Sequence, residues 1–195
     1  FRLTAFDPSD REALSMRVVV GTPENPTPVF ADSIEYLVLN PYWNIPWSIA
    51  SGETLPAAAR DRDYLRRQRI QIVDSWSHDA RRVDPAEVDW SDPVGWISSR
   101  GYRLRQLPGP GNSLGRIKFM FPNRFNVYIH DTPASHLFER VERDFSHGCI
   151  RAAEPFALAR FALAEEADWT MERVRNLMDA GDPHTVHLSA AIPVR

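Results

Sequence analysis

The most informative six residues of the chain are Ser146-His147-Gly148-Cys149-Ile150-Arg151. Cys149 is the only cysteine among the 195 residues, so no disulfide can form within the chain. A free thiol has a pKa of about 8.5, and a catalytic cysteine therefore needs an imidazole to accept its proton or stabilise the thiolate. His147 lies two residues before Cys149, and His130 lies 19 residues before it, at the end of a predicted strand. Both histidines are candidate bases.

Residues around the thiol have predicted roles of their own. A glycine before a nucleophile lets the backbone bend, so we expect the Gly148 and Cys149 N–H groups to face a reacting carbonyl. Arg151 is placed to bind a substrate carboxylate or to brace the loop, and Ser146 to close a local hydrogen bond; both are candidate substrate-binding residues.

The strand that ends at His130 supplies a further candidate. Along a strand Tyr128 and His130 face one side and Asp131 faces the other. Tyr128 is thus a candidate pocket wall, and we expect a backbone carbonyl, rather than the Asp131 side chain, to bind the imidazole.

These residues also allow two other interpretations. A lone cysteine is often an inert buried residue, but ionisable groups around a glycine and a thiol are a poor way to build a core. A metal site using His130, His147 and Cys149 would suit zinc or copper, yet no carboxylate or second cysteine stands at a suggestive spacing. We predict no metal and no cofactor, and we assign no role to the remaining histidines, His78, His136, His184 and His187.

Composition limits the class of protein. With 43% hydrophobic and 25% charged residues and a net charge of −3, the chain has the composition of a soluble globular domain. No apolar run approaches a bilayer-spanning length, so we expect no membrane-spanning segment. The 23 basic residues, 22 of them arginine, are outnumbered by 26 acidic ones, and Asp61 and Asp63 interrupt the densest basic stretch. Nucleic acid is therefore not an expected partner.

The patterning predicts β regions on either side of a different middle stretch. Strands are predicted at 16–20, 34–39, 115–121, 126–130 and 185–188, and helices at 55–69, 133–143, 155–165 and just before Gly181. We interpret residues 43–106 as an inserted, partly helical lobe, which holds five of the six tryptophans. For most of those rings a core role within the lobe is expected.

Several motifs together resemble one known family. Ser146-His147-Gly148-Cys149-Ile150-Arg151, preceded by a histidine at a strand end, is similar to the signature of the L,D-transpeptidase catalytic domains that cross-link bacterial peptidoglycan. The likeness extends over about residues 16–163. It includes segments that resemble the longer branch of the family, in which a lobe inserted between strands folds over the active site. These segments are Thr27-Pro28-Val29-Phe30, Asn40-Pro41-Tyr42-Trp43-Asn44-Ile45-Pro46, Pro108-Gly109-Pro110-Gly111-Asn112, Lys118-Phe119-Met120-Phe121-Pro122-Asn123 and His130-Asp131-Thr132-Pro133.

The resemblance implies a fold and a site. The fold is a β-rich α+β class with a β-sandwich core and short helices, forming one catalytic domain over residues 1–195 with a capping insert at about 43–106. Cys149 is the implied nucleophile, and His130, rather than His147, is the implied base. His147 is left to tune the thiolate or hold the loop. Ala152-Ala153 depart from the family, where a bulky apolar residue usually follows the arginine of the signature.

The implied activity is formation of 3→3 cross-links between tetrapeptide stems of peptidoglycan through a Cys149 thioester, in an exported, periplasmic protein. Carbapenem-type inhibitors are the implied ligands of the cysteine. Two alternatives remain: an L,D-carboxypeptidase or cross-link-cleaving peptidase using the same residues, and a non-catalytic peptidoglycan-binding domain. The chain begins at Phe1 and stops at Arg195, where a family domain would continue, so we expect a fragment of a longer protein.

Overall fold

A computed structural model describes all 195 residues. Its strands, numbered in chain order, are β1 (Arg2–Phe6), β2 (Glu12–Gly21), β3 (Asp32–Leu39), β4 (Trp43–Asn44), β5 (Ile70–Val73), β6 (Arg82–Val83), β7 (Arg103–Gln106), β8 (Ile117–Met120), β9 (Ile129–His130), β10 (Asp144–Ser146), β11 (Ile150–Ala152) and β12 (His184–Val194). Its α-helices are α1 (Trp47–Ile49), α2 (Leu55–Arg60), α3 (Tyr64–Arg67), α4 (Pro93–Ser99), α5 (Pro155–Ala162) and α6 (Met171–Ala180). None of them is both long and apolar enough to cross a membrane.

The contacts divide the chain into two units. The main unit comprises Phe1–Pro41 and Pro108–Arg195, and the inserted unit comprises Tyr42–Leu107. Within the main unit Asn112 Nδ2 donates to the Pro41 carbonyl at 3.0 Å, which holds together the two points where the inserted unit leaves and rejoins the chain.

The main unit is built on one eight-stranded sheet with the order β1-β2-β11-β9-β8-β3-β12, and β10 pairs with β2 outside this path. Most neighbours are antiparallel, but β11 runs parallel to β9, and β10 runs parallel to β2. Alternation along β3 buries Leu37 and Leu39. Helices α5 and α6 add Leu158, Ala159, Val174 and Met178 to the same apolar core. The chain is therefore a β-rich α+β protein, as the sequence predicts.

The inserted unit has its own sheet and its own core. The sheet order is β4-β7-β5-β6, and the core includes Leu55, Ile72, Ile97 and Leu104. Three tryptophans, Trp43, Trp90 and Trp96, pack against this core, whereas Trp47 and Trp76 are exposed. The core role expected for most of these rings therefore holds for three of the five.

Two predicted helices are wrong in form. The one predicted over 133–143 is only a 3₁₀ segment, Ser135–Glu139. The reason is that the Arg143 carbonyl accepts from the Val20 N–H at 2.8 Å, so the chain must already be extended there to meet β2. The Thr132 hydroxyl accepts from the Ala134 N–H and makes a turn, not a helix cap.

The helix predicted over 55–69 is divided into α2 and α3. Asp61 adopts extended backbone, and its carboxylate accepts from the Asp63 N–H at 3.0 Å. A side chain that binds the backbone two residues ahead competes with helical hydrogen bonding. The chain therefore turns at Asp61 and starts again at Tyr64.

Candidate active site

The pairing of three strands places the site residues on one face of the sheet. Lys118 of β8 lies opposite His130 of β9, and Arg151 of β11 lies opposite His130 on the other side. Directly paired residues project to the same face. His130 is therefore flanked by a lysine and an arginine.

Cys149 and Tyr128 form the next row of this face. Each precedes a member of the first row by two residues, which is the strand repeat. The Ile150 N–H donates to the Tyr128 carbonyl at 3.0 Å and fixes the two segments side by side. Cys149 is only partly buried.

The imidazole of His130 is buried and oriented by a backbone carbonyl. His130 is 4% exposed, and its Nδ1 is hydrogen bonded to the carbonyl of Asp131. A carbonyl only accepts, so Nδ1 carries a proton. Burial lowers the pKa of His130 to about 3, and the positive charges of Arg151 and Lys118 act in the same direction. The carbonyls of Asp131 and Leu114 oppose this shift. At neutral pH the ring is therefore uncharged.

The electrostatics of the thiol come from three neighbours. Burial raises the pKa of Cys149, whereas hydrogen bonding from Tyr128 and the charges of Lys118 and Arg151 lower it. The tyrosine is half-buried beside the sulfur, and both its burial and the nearby Cys149 raise the pKa of its hydroxyl. The resting pair is thus a thiol and a neutral imidazole.

Tyr128 lies between the other side chains of the site. The Lys118 Nζ lies 4.1 Å from the centre of the Tyr128 ring, and the His130 ring centre lies 5.7 Å from it. The tyrosine ring is therefore in contact with both the lysine and the imidazole. The pocket-wall role of Tyr128 stays a prediction.

The loop before the thiol is held by two hydroxyl groups. Ser146 Oγ accepts from the Gly148 N–H at 3.1 Å and donates to the Cys149 carbonyl. The Thr27 hydroxyl donates to the Gly148 carbonyl at 2.8 Å and accepts from the Gly21 N–H at 2.9 Å. Gly148 has a φ of +110°, a conformation that side-chain-bearing residues rarely adopt. Every polar backbone atom of Gly148 is therefore bound within the protein.

A family comparison matches this arrangement. The family model described as "YkuD: L,D-transpeptidase catalytic domain" matches residues 1–186. The chain belongs to the L,D-transpeptidase catalytic domain family. The chain is also similar to a Haemophilus influenzae protein named "Putative L,D-transpeptidase". The two are 36% identical over 166 residues, and this match covers 85% of the present chain. The chain spans 32% of the length of that relative.

Two roles predicted for the L,D-transpeptidase loop need correction. The Gly148 N–H donates to Ser146 Oγ, so it does not face a reacting carbonyl as expected. Ser146 is 2% exposed and both its hydrogen bonds go to the loop, so it braces the nucleophile and does not line a substrate site. The local hydrogen bond expected of Ser146 is present, whereas its expected substrate-binding role has no support in the structure.

His147 and Asp131 differ from the buried His130 in exposure and in hydrogen bonding. His147 is exposed, whereas His130 is buried. The Asp131 carboxylate accepts from the Arg116 N–H at 2.8 Å and from the Thr132 N–H at 2.7 Å, so it serves the backbone and not the imidazole. Gly115 is required beside it, because a Cβ there would lie 2.3 Å from that carboxyl group.

No group of three or more histidine, cysteine, aspartate or glutamate side chains is arranged to hold a metal ion. The geometry thus gives no support to a metal site of His130, His147 and Cys149.

Sequence reasoning missed Lys118 and Thr27 as members of the site. Lys118 carried a signal: it is the only lysine in a chain with 22 arginines, and it lies in a segment that resembles the family. Thr27 also lies in such a segment, but nothing in the sequence shows that its hydroxyl reaches a loop 121 residues away.

Proposed function

We propose that this domain is a peptidoglycan L,D-transpeptidase that forms 3→3 cross-links between tetrapeptide stems through a Cys149 thioester. The observation that carries the proposal is the single sheet face on which a partly buried thiol, a tyrosine and an uncharged, carbonyl-oriented imidazole stand together. Family membership supplies the reaction class, and the face supplies the groups that such a reaction needs.

In the first half-reaction the Cys149 sulfur attacks the carbonyl that precedes the terminal D-alanine of a donor stem. The S–C bond forms, the C–N bond breaks, and the thiol proton passes through His130 to the leaving amine. Because the thiol and the imidazole are both neutral at rest, the proton moves as the sulfur attacks. With the Gly148 N–H bound to Ser146, the Cys149 N–H is the backbone donor that we assign to the developing oxyanion.

In the second half-reaction an amine of a second stem attacks the thioester. The N–C bond forms, the C–S bond breaks, and His130 carries the amine proton back to the sulfur. Water in place of the amine would give the carboxypeptidase reaction with the same residues. We propose that the inserted unit, residues 42–107, favours the amine by excluding water from the acyl-enzyme. An enzyme with this substrate works in the periplasm, which is where we place the protein.

The decisive experiment combines intact mass with product analysis. We expect one covalent carbapenem adduct on the wild type and none on Cys149→Ser, because the adduct requires the sulfur. With purified tetrapeptide stems, released D-alanine and a cross-linked dimer are expected together. Adduct formation on Cys149→Ser would refute the nucleophile. Release of D-alanine without a dimer, in the presence of a second stem, would favour the carboxypeptidase.

A further inference from the structure

Two cations on the site face have no acidic partner. The ion pairs of the chain involve other residues, and none includes Lys118 or Arg151. Arg151 Nε is fully buried and has no hydrogen-bond partner. Buried or partly buried charges in proteins are normally paired, because removing them from water without compensation is unfavourable. This face therefore lacks an anion.

The positions of the two cations favour a shared ligand. Lys118 and Arg151 lie on the strands on either side of β9, both opposite His130. Two strand spacings put their Cα atoms about 10 Å apart, a span that a lysine and an arginine side chain can close onto one small anion. Both residues are partly exposed, so a ligand can reach them.

Electrostatics agree with this placement. Burial lowers the pKa of Lys118 and of Arg151, and the Cys149 thiolate is the one group whose charge opposes either shift. The resting enzyme holds a neutral thiol, however, so the thiolate does not supply the missing charge before a ligand arrives.

We propose that Lys118 and Arg151 form a carboxylate clamp that selects donors with a free carboxylate one residue beyond the attacked carbonyl. The clamp rests on the proposed function, since it assigns a specificity role within that reaction. In a tetrapeptide donor this carboxylate is that of the terminal D-alanine, which leaves with the amine. Lys118 contributes a compact point charge, and Arg151 a planar fork suited to two carboxylate oxygens.

Alkylation of Cys149 tests the clamp without any peptidoglycan chemistry. Iodoacetate and iodoacetamide both place a CH₂ group on the sulfur and release iodide, but only iodoacetate brings a carboxylate. Both reagents react with the same thiolate, so the ratio of their rates cancels any change in the pKa of Cys149. Neither reaction creates an oxyanion, so the ratio also excludes a role in oxyanion stabilisation.

We expect the ratio of iodoacetate to iodoacetamide rates to be about ten- to hundredfold higher for the native protein than for its urea-unfolded chain. Lys118→Met should lower the native ratio by roughly tenfold, and Lys118→Arg should preserve most of it. Arg160→Met removes a cation from the exposed side of α5 and should leave the ratio unchanged. Rates are read from intact mass, with Cys149→Ser as the unreactive control.

Three results would overturn the clamp. The first is a native ratio no higher than that of the unfolded chain. The second is a Lys118→Met variant in which both rates fall in the same proportion, which would show that the lysine acts on the thiolate alone. In both cases a carbapenem adduct on Cys149 would leave the proposed function intact. The third is a native protein in which iodoacetamide does not modify Cys149 at all, which would overturn the proposed function as well.

A carbapenem and its ester test whether the clamp binds the carboxylate of the donor. The carbapenem carboxylate stands on the carbon next to the ring nitrogen, at the same distance in bonds from the reactive carbonyl as the terminal carboxylate of a donor. We expect the wild type to react with the acid about tenfold faster than with the ester, and Lys118→Met to react with both at similar rates. Equal rates on the wild type would place the clamp's anion elsewhere and refute the donor assignment.

Discussion

Replacing His130 by glutamine should remove a large acid-dependent loss of stability. The histidine has a pKa of about 3 in the folded chain, against an ordinary value of 6.5, because it is buried next to two cations. Between pH 3 and pH 6.5 this histidine binds a proton in the unfolded chain but not in the folded chain. Stability from this residue is therefore full above pH 6.5 and is lost as the pH falls towards 3.

The size of the effect follows from the two pKa values. One pKa unit corresponds to about 1.4 kcal/mol, and integration from pH 7 to pH 4 gives about 3 kcal/mol for this single group. The wild type should thus lose about 3 kcal/mol more unfolding free energy over this range than His130→Gln does. All other titrating groups are common to both proteins and cancel in the comparison.

Urea unfolding at several pH values measures this difference. Backbone circular dichroism is the suitable signal, because five of the six tryptophans lie in residues 42–107 and their fluorescence reports mainly on that unit. His136→Gln is the matched control, since His136 is exposed and loses little hydration on folding. A difference below about 1 kcal/mol between pH 7 and pH 4 would refute the assignment of a neutral, buried imidazole.

Three further predictions concern the nucleophile and the inserted unit. Carbapenem acylation should show no inflection between pH 5 and 7, because His130 is already neutral above its pKa of about 3; an inflection near 6.5 in stopped-flow rates would contradict this. Thr27→Val should slow acylation by about tenfold and lower the free energy of unfolding by about 1–2 kcal/mol, because the Thr27 hydroxyl fixes the Gly148 carbonyl. Thr22→Val, a control in the same turn, should leave the acylation rate within a factor of about two. Replacing residues 42–107 by a short Gly-Ser linker should raise the ratio of hydrolysis to transfer in product analysis; an unchanged ratio would show that this unit does not exclude water.

The sequence predicts the parts of this fold that depend on local patterning. The strand at His130 and the one that contains Leu37 and Leu39 are found, because alternation and β-branched residues report a half-buried sheet directly. The helix that ends at Gly181 is also found, since this glycine adopts the left-handed conformation expected of a helix terminus.

The sequence does not predict features that depend on long-range contacts. Residues 133–143 have a plausible helix start, but their hydrogen bonds to β2 pull the chain straight at Arg143. For the site, His130 and Cys149 are identified from their types and spacing. Lys118 belongs to the site only because β8 pairs in register with β9, which places it opposite His130. The register between two strands cannot be predicted from the sequence of either strand alone.

The parallel pairing of β9 and β11 has a consequence for evolution and engineering. Two adjacent strands that run in the same direction must be joined by a crossover, here residues 131–149, while their ladder alone sets the spacing of the paired residues. Val141, which is 95% exposed, lies near the middle of this crossover. We therefore expect an epitope tag inserted at this point to leave the register of the ladder unchanged.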